Sequence, residues 1–223
     1  MASKGVIVEF DFAAMNGADI LFNTTKDFLQ KLDGIPFDDM VEARHLAGCN
    51  YQGAFAEYFP LVKTKKTAVK AAKDLSGLLR ATLKAAIPSN ISQGFKNFVK
   101  TLSAKGVKVV IATRADIEDE AVKEAFAPLM TDNVKLYHEE SSTYGCVKWD
   151  VWRRACVANG MHPSVTLAIT GSGNGVKSAL IAGMGALAVV NARTAYQDCS
   201  GADAVVKELN SEAAKMVLEI LRV

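Results

Sequence analysis

The stretch Val6-Ile7-Val8-Glu9-Phe10-Asp11-Phe12 decides the fold. It opens with three β-branched residues and shows no polar alternation, which is typical of a central parallel strand buried on both faces. Residues two apart on an extended segment point to the same side, so Glu9 and Asp11 should project together. Open α/β sheets bind ligands at the carboxyl ends of their strands, so this pair predicts a functional site. The alternative is two acids in a solvated turn.

The composition is that of a globular protein with a substantial core. Of the 223 residues, 50% are hydrophobic and 22% are charged, which argues against disorder. The length suits one large domain or a core with a smaller insert. The formal net charge is only +2, so composition gives no case for a nucleic-acid partner.

The cysteines and the absence of targeting signals indicate a compartment. Cys49, Cys146, Cys156 and Cys199 are scattered without a CxxC pair, which favours free thiols in a reducing environment. We recognise no signal peptide, transit peptide or lipidation signal. The longest apolar stretch, around residues 179–190, is short and interrupted by glycines. We therefore expect a soluble cytoplasmic protein that does not contact a membrane.

Two regions with different patterns follow the first strand. Residues 16–88 have helical, alanine-rich periodicity and no convincing strand. Beyond them, apolar strands alternate with helices, which implies a doubly wound parallel sheet. The predicted strands are 107–112, 134–137, 165–170 and 187–190. We therefore predict an α/β core made of residues 1–15 and 89–223, with a helical insert at 16–88 that ends at the turn signal Pro88-Ser89-Asn90.

Three further stretches are distinctive. They are Gly34-Ile35-Pro36-Phe37, Ala47-Gly48-Cys49-Asn50-Tyr51, and Asn174-Gly175-Val176-Lys177-Ser178-Ala179-Leu180-Ile181-Ala182-Gly183-Met184. Together with the order of elements, they resemble the haloacid dehalogenase (HAD) superfamily. The likeness is to its branch of small sugar-phosphate phosphatases and phosphomutases, and it covers nearly the whole chain. It implies a Rossmann-like HAD core in which residues 16–88 form a helical cap.

The resemblance also implies a chemistry. In the superfamily the first strand ends in Asp-x-Asp-Gly-Thr, where the first Asp attacks phosphorus and the second protonates the leaving group. A Thr or Ser and a Lys hold the phosphoryl oxygens. Acids after a later strand complete a Mg²⁺ site.

Carried over residue by residue, the match is mixed. Glu9 stands at the nucleophile position and Asp11 at that of the acid/base, so these two are the candidate catalytic residues, while Phe12-Ala13 replaces Gly-Thr. The candidate phosphate-binding residues are Thr113, Arg114, Lys148, Ser172 and Asn174. Lys148 matches the motif lysine, with Lys135 as its rival.

The acids that would complete the magnesium site are missing, because Thr170-Gly171-Ser172 stands in their place. Mg²⁺ requires near-octahedral oxygen ligation anchored by carboxylates. Without it, Glu9 and Asp11 would repel an incoming phosphate dianion. The extra methylene of Glu9 moves its oxygens outward by about an ångström, which can cost on the order of 10²-fold in rate. We therefore expect no cofactor, and Mg²⁺ only if the protein is an enzyme.

Several candidate residues have structural interpretations as well. The ammonium group of Lys148 could pair with Glu9 or Asp11 and replace the missing cation. Thr113 could be a helix N-cap. The loop Gly171-Ser172-Gly173-Asn174-Gly175 could cradle an anion, or its glycines could fill the space left by the lost acids. Nucleotide binding by this loop is a weaker third option.

Basic residues crowd one part of the predicted cap, with Asp74 the only acid among them. They are Lys63, Lys65, Lys66, Lys70, Lys73, Arg80 and Lys84. Lys66, Lys70 and Lys73 fall on one helix face by their spacing. Such a run is usually a solvated face, and the alternative is a contact surface for an acidic partner or a phosphate-rich ligand.

Two functions from different classes remain. The favoured one is a catalytically degenerate HAD-fold pseudophosphatase that retains at most a cleft for a phosphorylated small molecule or a partner-binding role. The alternative is a divergent phosphatase or phosphomutase that acts on a small sugar phosphate through an acyl-phosphate, with Glu9 or Asp11 as nucleophile. The missing acids around Thr170-Gly171 favour the first.

Overall fold

The structure is a computed structural model, and it describes residues 4–46, 50–139 and 149–223. Five of the residues discussed above lie outside these ranges: Ala47, Gly48, Cys49, Cys146 and the candidate phosphate ligand Lys148. The interpretations that depend on Lys148 therefore stay predictions.

The described residues form a six-stranded parallel sheet with the order β3-β2-β1-β4-β5-β6. The strands are β1 (Gly5–Glu9), β2 (Lys108–Thr113), β3 (Val134–His138), β4 (Thr166–Thr170), β5 (Gly185–Val189) and β6 (Ala204–Val206). All five residues of β1 are buried, and the strand pairs with β2 on one side and β4 on the other. The predicted doubly wound parallel sheet is confirmed, and so is the central position of the first strand.

Helices surround this sheet. They are α1 (Gly17–Asp33), α2 (Asp39–Val41), α3 (Tyr51–Leu61), α4 (Ala68–Asn90), α5 (Gln93–Ala104), α6 (Glu120–Phe126), α7 (Trp149–Ala158), α8 (Gly173–Ile181) and α9 (Ser211–Leu221). Helices α1–α5 come between β1 and β2 in the chain, and we call the first four, α1–α4, the cap helices. Among the described residues we find no helix that combines the length and the apolar character a membrane span needs.

The core has one apolar layer on each face of the sheet. Val6 and Val8 of β1 point into the larger layer, which continues into the cap helices. Ile7 points the other way, into a smaller layer beneath α7 and α8. Burying each such side chain contributes about 1.5–3 kcal/mol, so β1 is held from both faces and its carboxyl end is a fixed point.

Helix α4 runs through the turn signal predicted at Pro88. Its last turn includes Pro88 and ends at Asn90, whose side-chain amide donates to the carbonyl of Ala86 at 2.8 Å. Leu83 and Ile87 are buried on the inner face of the helix. Tertiary packing of this face outweighs the local cost of proline, so the helix continues two residues past Pro88 and ends at Asn90, the last residue of the predicted turn signal.

Candidate functional site

The first strand ends earlier than predicted. β1 stops at Glu9, and Phe10–Ala14 forms a π-helical turn that holds Asp11. The aromatic ring of Phe10 packs against those of Phe95 and Phe126, with centroids 5.4 and 4.8 Å away. The chain therefore leaves the extended conformation after Glu9. The expectation that residues two apart point to the same side holds only for an extended segment and does not include such packing. Glu9 and Asp11 nevertheless converge on the same neighbours.

Both carboxylate oxygens of Asp11 accept hydrogen bonds from the end of β2. The hydroxyl of Thr113 donates to Oδ1 at 2.7 Å, and the backbone N–H of Arg114 donates to Oδ2 at 2.9 Å. Asp11 and Thr113 are buried. The hydroxyl predicted to bind phosphate is thus bonded to the predicted acid/base residue.

The carboxylate of Glu9 is held from two sides. The hydroxyl of Thr170, at the end of β4, donates to Oε2 at 2.6 Å. On the other side, Nη2 of Arg114 lies 3.4 Å from Oε1. Glu9 is 2% exposed, so these protein groups replace water around it. Glu9 and Thr170 lie on neighbouring strand ends, as predicted.

Arg114 brings three carboxylates together. Its side chain is 2% exposed, and its guanidinium nitrogens lie 3.4 Å from Glu9, 3.6 Å from Asp11 and 3.4 Å from Glu139. We call these four residues the carboxylate–arginine cluster. One interpretation of the sequence was that the ammonium group of Lys148 replaces the missing metal here. Within the described residues, the cation at this point is Arg114.

Glu139 is the member that the sequence analysis missed. It directly follows β3, and its backbone N–H donates to the carbonyl of Thr113 at 2.8 Å, which brings it beside Arg114. An acid at the carboxyl end of a predicted strand is the same signal that identified Glu9. This signal was present in the sequence after the predicted strand 134–137, but the sequence analysis did not use it there.

Burial dominates the electrostatics of the cluster. It raises the pKa of Glu139 to about 7, although the nearby Arg114 opposes the rise. Burial also raises the pKa of Glu9, again against Arg114. For Arg114, burial alone would lower the pKa, but the carboxylates of Glu139, Glu9 and Asp11 outweigh it and raise the pKa instead. The guanidinium therefore stays charged, whereas the carboxyl group of Glu139 gains and loses its proton near neutral pH.

Phe12 separates the cluster from the cleft between the cap helices and the sheet. Its ring centroid lies 5.0 Å from the guanidinium carbon of Arg114, close enough for a cation–π contact. Its other side lines a cavity of about 70 Å³. Glu9, Asp11 and Arg114 do not line this cavity. The aromatic ring thus stands where the superfamily motif has a glycine.

The loop after β4 has no room for the missing acids. A Cβ atom on Gly171 would lie 2.3 Å from the carbonyl oxygen of Phe12. A Cβ on Gly175 would lie 1.9 Å from the hydroxyl of Thr170, and one on Gly173 would lie 2.4 Å from the carbonyl of Asp198. The glycines allow close backbone packing, which favours the space-filling interpretation of this loop.

The remaining candidate residues are dispersed. The hydroxyl of Ser172 accepts from the N–H of Gly175 at 3.0 Å and caps α8. Asn174 is exposed and faces a different groove, beside Lys177. Lys135 is exposed near the amino end of β3, away from the strand ends that form the cluster. The structure brings Thr113 and Arg114 together with Glu9 and Asp11, and it leaves Asn174 and Lys135 apart.

The cluster does not fit the ligand shell of Mg²⁺. The oxygens of Asp11 and Glu9 accept from Thr113, Thr170 and Arg114, and the guanidinium lies where the three carboxylates converge. Elsewhere in the described part of the chain, no group of three His, Cys, Asp or Glu side chains is suitably placed for a metal ion. Mg²⁺ needs several carboxylate or water oxygens at about 2.0–2.1 Å, which this arrangement does not offer.

A second ion-pair network joins the cap helices to the sheet. Arg193, in the segment after β5, donates to Asp19 of α1 and Asp39 of α2 at 2.7 Å each, and to Glu42 at 3.3 Å. Its guanidinium carbon lies 3.7 Å from the ring centroid of Phe22. Nothing in the local sequence around Arg193 indicated this role, because the contacts come from a segment about 150 residues away.

Comparison with known proteins identifies the fold. No protein-family model matches the sequence, and no curated protein is significantly similar to it. Solved structures match over nearly their whole length. CbbY from Rhodobacter sphaeroides in complex with phosphate is 15% identical, with 95% of this chain and 96% of that chain covered and a TM-score of 0.67. β-Phosphoglucomutase from Clostridium difficile is 12% identical, with 99% of this chain and 97% of that chain covered and a TM-score of 0.68.

A HAD hydrolase of family IA, variant 3, from Entamoeba histolytica is 13% identical, with 99% of this chain and 100% of that chain covered and a TM-score of 0.73. The chain therefore has the fold of the HAD-like hydrolases, as the sequence resemblance predicted. At these identities the likeness concerns the fold alone.

Proposed function

We propose that this HAD-fold protein is a pseudophosphatase that does not turn over phosphate esters and acts by binding. The observation that carries the proposal is the position of Arg114, whose buried guanidinium lies between Glu9, Asp11 and Glu139. A phosphoryl-transfer site needs a free carboxylate and a positively charged surface for the transferred group. In the cluster, the guanidinium pairs with the carboxylates, so neither is available to a phosphoryl group.

The position of Glu9 argues against nucleophilic attack. Its two oxygens are bonded to Thr170 and Arg114, and in-line attack requires one of them to be free. Breaking a buried ion pair costs about 3–5 kcal/mol. Each 1.4 kcal/mol added to a barrier slows a reaction about tenfold. The pairing alone would therefore slow attack by about two to four orders of magnitude.

The charge of the cluster also argues against a bound phosphate. Three carboxylates face one guanidinium, and the hydroxyl of Thr113 donates to Asp11 instead of to a ligand. The proposal therefore excludes a phosphorylated small molecule at the cluster. It also excludes a Mg²⁺ cofactor, since the guanidinium supplies the charge that a metal would supply.

The alternative is a divergent phosphatase or phosphomutase acting on a small sugar phosphate. In its favour, the cleft between the cap helices and the sheet still contains a cavity. Catalysis would then require Phe12 to leave the cleft wall and Arg114 to release Glu9. Both movements break contacts that are buried in this structure.

Hydrolysis of p-nitrophenyl phosphate and of a panel of sugar phosphates, with Mg²⁺ or with EDTA, tests the proposal. The purified protein should release no more phosphate than its Glu9→Ala variant, which controls for contaminating phosphatases. Metal-dependent turnover that disappears in Glu9→Ala would establish the alternative.

A further inference from the structure

The exposed side of the α3–α4 hairpin carries a concentrated positive charge. In the loop between the helices lie Lys63, Lys65 and Lys66, and along α4 lie Lys70, Lys73, Arg80 and Lys84. All seven side chains are exposed, and we call them the basic face. The four helical residues are spaced by three, seven and four, so they form one row about 20 Å long on the side opposite the buried Leu75 and Leu79.

Most of these charges do not form ion pairs within the described part of the chain. Lys70 pairs with Asp74 at 2.9 Å, and Lys84 pairs with Asp119. Within the described ranges, no carboxylate forms an ion pair with the other five, Lys63, Lys65, Lys66, Lys73 and Arg80. In a protein whose net charge is only +2, seven exposed cations on one hairpin, five of them outside ion pairs, create a local positive potential.

The loop that presents three of the lysines has a defined conformation. Lys63 has a φ of 57°, a left-handed conformation that is uncommon for a residue other than glycine. The hydroxyl of Thr64 donates to Asp33 at the end of α1, and the N–H of Lys66 donates to the Thr64 hydroxyl at 3.2 Å. The lysines are thus held on a fixed support, which lowers the entropy cost of binding through them.

Apolar side chains accompany the charge at this end of the hairpin. Leu61, the last residue of α3, is 64% exposed, and Val69, at the start of α4, is 62% exposed. These two residues flank the lysine-bearing loop in the sequence. An exposed aliphatic pair beside a run of cations suits a ligand that has both negative charge and an apolar contact.

From these features we infer that the basic face binds an acidic segment of a partner protein, with Leu61 and Val69 contacting an apolar residue of that segment. Nucleic acid fits less well, because residues 61–84 contain no aromatic side chain on which bases could stack. A lipid surface also fits less well. A membrane-bound amphipathic helix inserts its apolar face, whereas the apolar face of α4 is buried in the protein.

The inference goes beyond the proposed function and does not depend on it, since the basic face includes no residue of the carboxylate–arginine cluster. Binding of a fluorescent synthetic peptide that alternates glutamates with leucines, measured by anisotropy at rising NaCl, tests it. We expect saturable binding that weakens steadily with salt. The charge-reversed variant K66E/K73E/R80E should bind at least tenfold more weakly.

The matched control is K100E/K105E/K215E, which reverses three exposed lysines elsewhere and gives the same net charge. It should keep the wild-type affinity within about twofold. The variant L61S/V69S should bind several-fold more weakly with an unchanged salt dependence. Circular dichroism should show that all three variants are folded.

Three results would overturn the inference. The first is no peptide binding by the wild-type protein. The second is equal weakening in the two charge-reversed variants, because that would reflect net charge alone. The third is tighter, basic-face-dependent binding of a single-stranded oligonucleotide or of phosphatidylserine vesicles, which would assign the surface to another class of partner.

Discussion

At the scale of single residues, Arg114 has the largest consequences. It occupies the point where three buried carboxylates meet, and it is the charge that lets them stay buried. Burying a carboxylate without a partner costs several kcal/mol. Removing the guanidinium should therefore both destabilise the fold and leave a cluster of acids that attracts another cation.

We expect Arg114→Met to lower the free energy of unfolding by about 3–5 kcal/mol, because it leaves Glu9, Asp11 and Glu139 without their counter-ion. Thermal unfolding with and without Mg²⁺ or Mn²⁺ is the measurement. The metal should raise the Tm of the variant and leave the wild type unchanged. Arg114→Lys, which keeps a positive charge, is the control and should respond little. Equal responses of all three proteins would contradict the role of Arg114 as a built-in cation.

The protonation of Glu139 gives a second prediction. Its pKa rises from an ordinary value of 4.5 to about 7 on folding, so the folded protein holds a proton that the unfolded chain releases. The stabilisation is complete below pH 4.5 and is lost as the pH rises through 7. Among the described residues, the charged groups that act on the pKa of Glu139 include Arg114, Glu9, Asp11 and Arg154. The raised pKa of Glu9 acts in the same direction.

The free energy of unfolding of the wild type should therefore fall by on the order of 3 kcal/mol between about pH 5 and pH 8. Glu139→Gln keeps the shape and removes the titration, so its pH profile should be flatter and its stability at pH 8 higher than that of the wild type. Urea denaturation across this range is the measurement. Parallel profiles for the two proteins would show that Glu139 does not titrate with folding.

At the scale of elements, the turn Phe10–Ala14 and the loop after β4 fit together through backbone contact. The carbonyl of Phe12 lies where a side chain at position 171 would begin. The sequence left two interpretations of these glycines open, an anion cradle and space filling, and the close backbone contacts favour the second. The sequence could not reveal that the carbonyl of Phe12 lies against Gly171. That contact depends on the π-helical turn, in which Phe10 packs against α5 and α6.

Gly171→Ala should lower the free energy of unfolding by about 1–3 kcal/mol, since its Cβ would lie 2.3 Å from the carbonyl oxygen of Phe12. Gly77→Ala in α4 is the matched control. No atom lies within 4 Å of the Cβ there, and alanine favours a helix, so it should stabilise the protein by about 0.5–1 kcal/mol. Chemical denaturation of both variants is the measurement. Similar stabilities would show that the loop after β4 can move away from the turn.

At the scale of the whole molecule, the sequence predicted what depends on local pattern and missed what depends on distant packing. The apolar run of β1 predicted a central strand with Glu9 near its end, whereas Thr113 was named from the family resemblance. The identity of the cation could not be found this way, because Arg114 meets Glu139 only once β2 and β3 are paired. β6 was missed as well, since a three-residue edge strand has almost no periodic signal.

Arg193 affects the whole molecule because it connects the cap helices to the sheet. It bonds to Asp19, Asp39 and Glu42 and stacks on Phe22, and it comes from the segment after β5. The side chains of this network are partly exposed to solvent, so each ion pair contributes modestly to stability. Together the ion pairs oppose separation of α1 and α2 from the core.

Arg193→Met keeps the apolar contact with Phe22 and loses the charge. In this variant we expect amide hydrogen exchange in α2 and residues 42–46 to speed up by on the order of tenfold, with β1 and β2 unchanged. Hydrogen exchange read by mass spectrometry is the measurement, and Arg193→Lys should show a smaller change. If exchange rose equally in β1, Arg193 would stabilise the whole fold. If exchange stayed at the wild-type rate in residues 42–46, apolar packing alone would hold the cap helices in place.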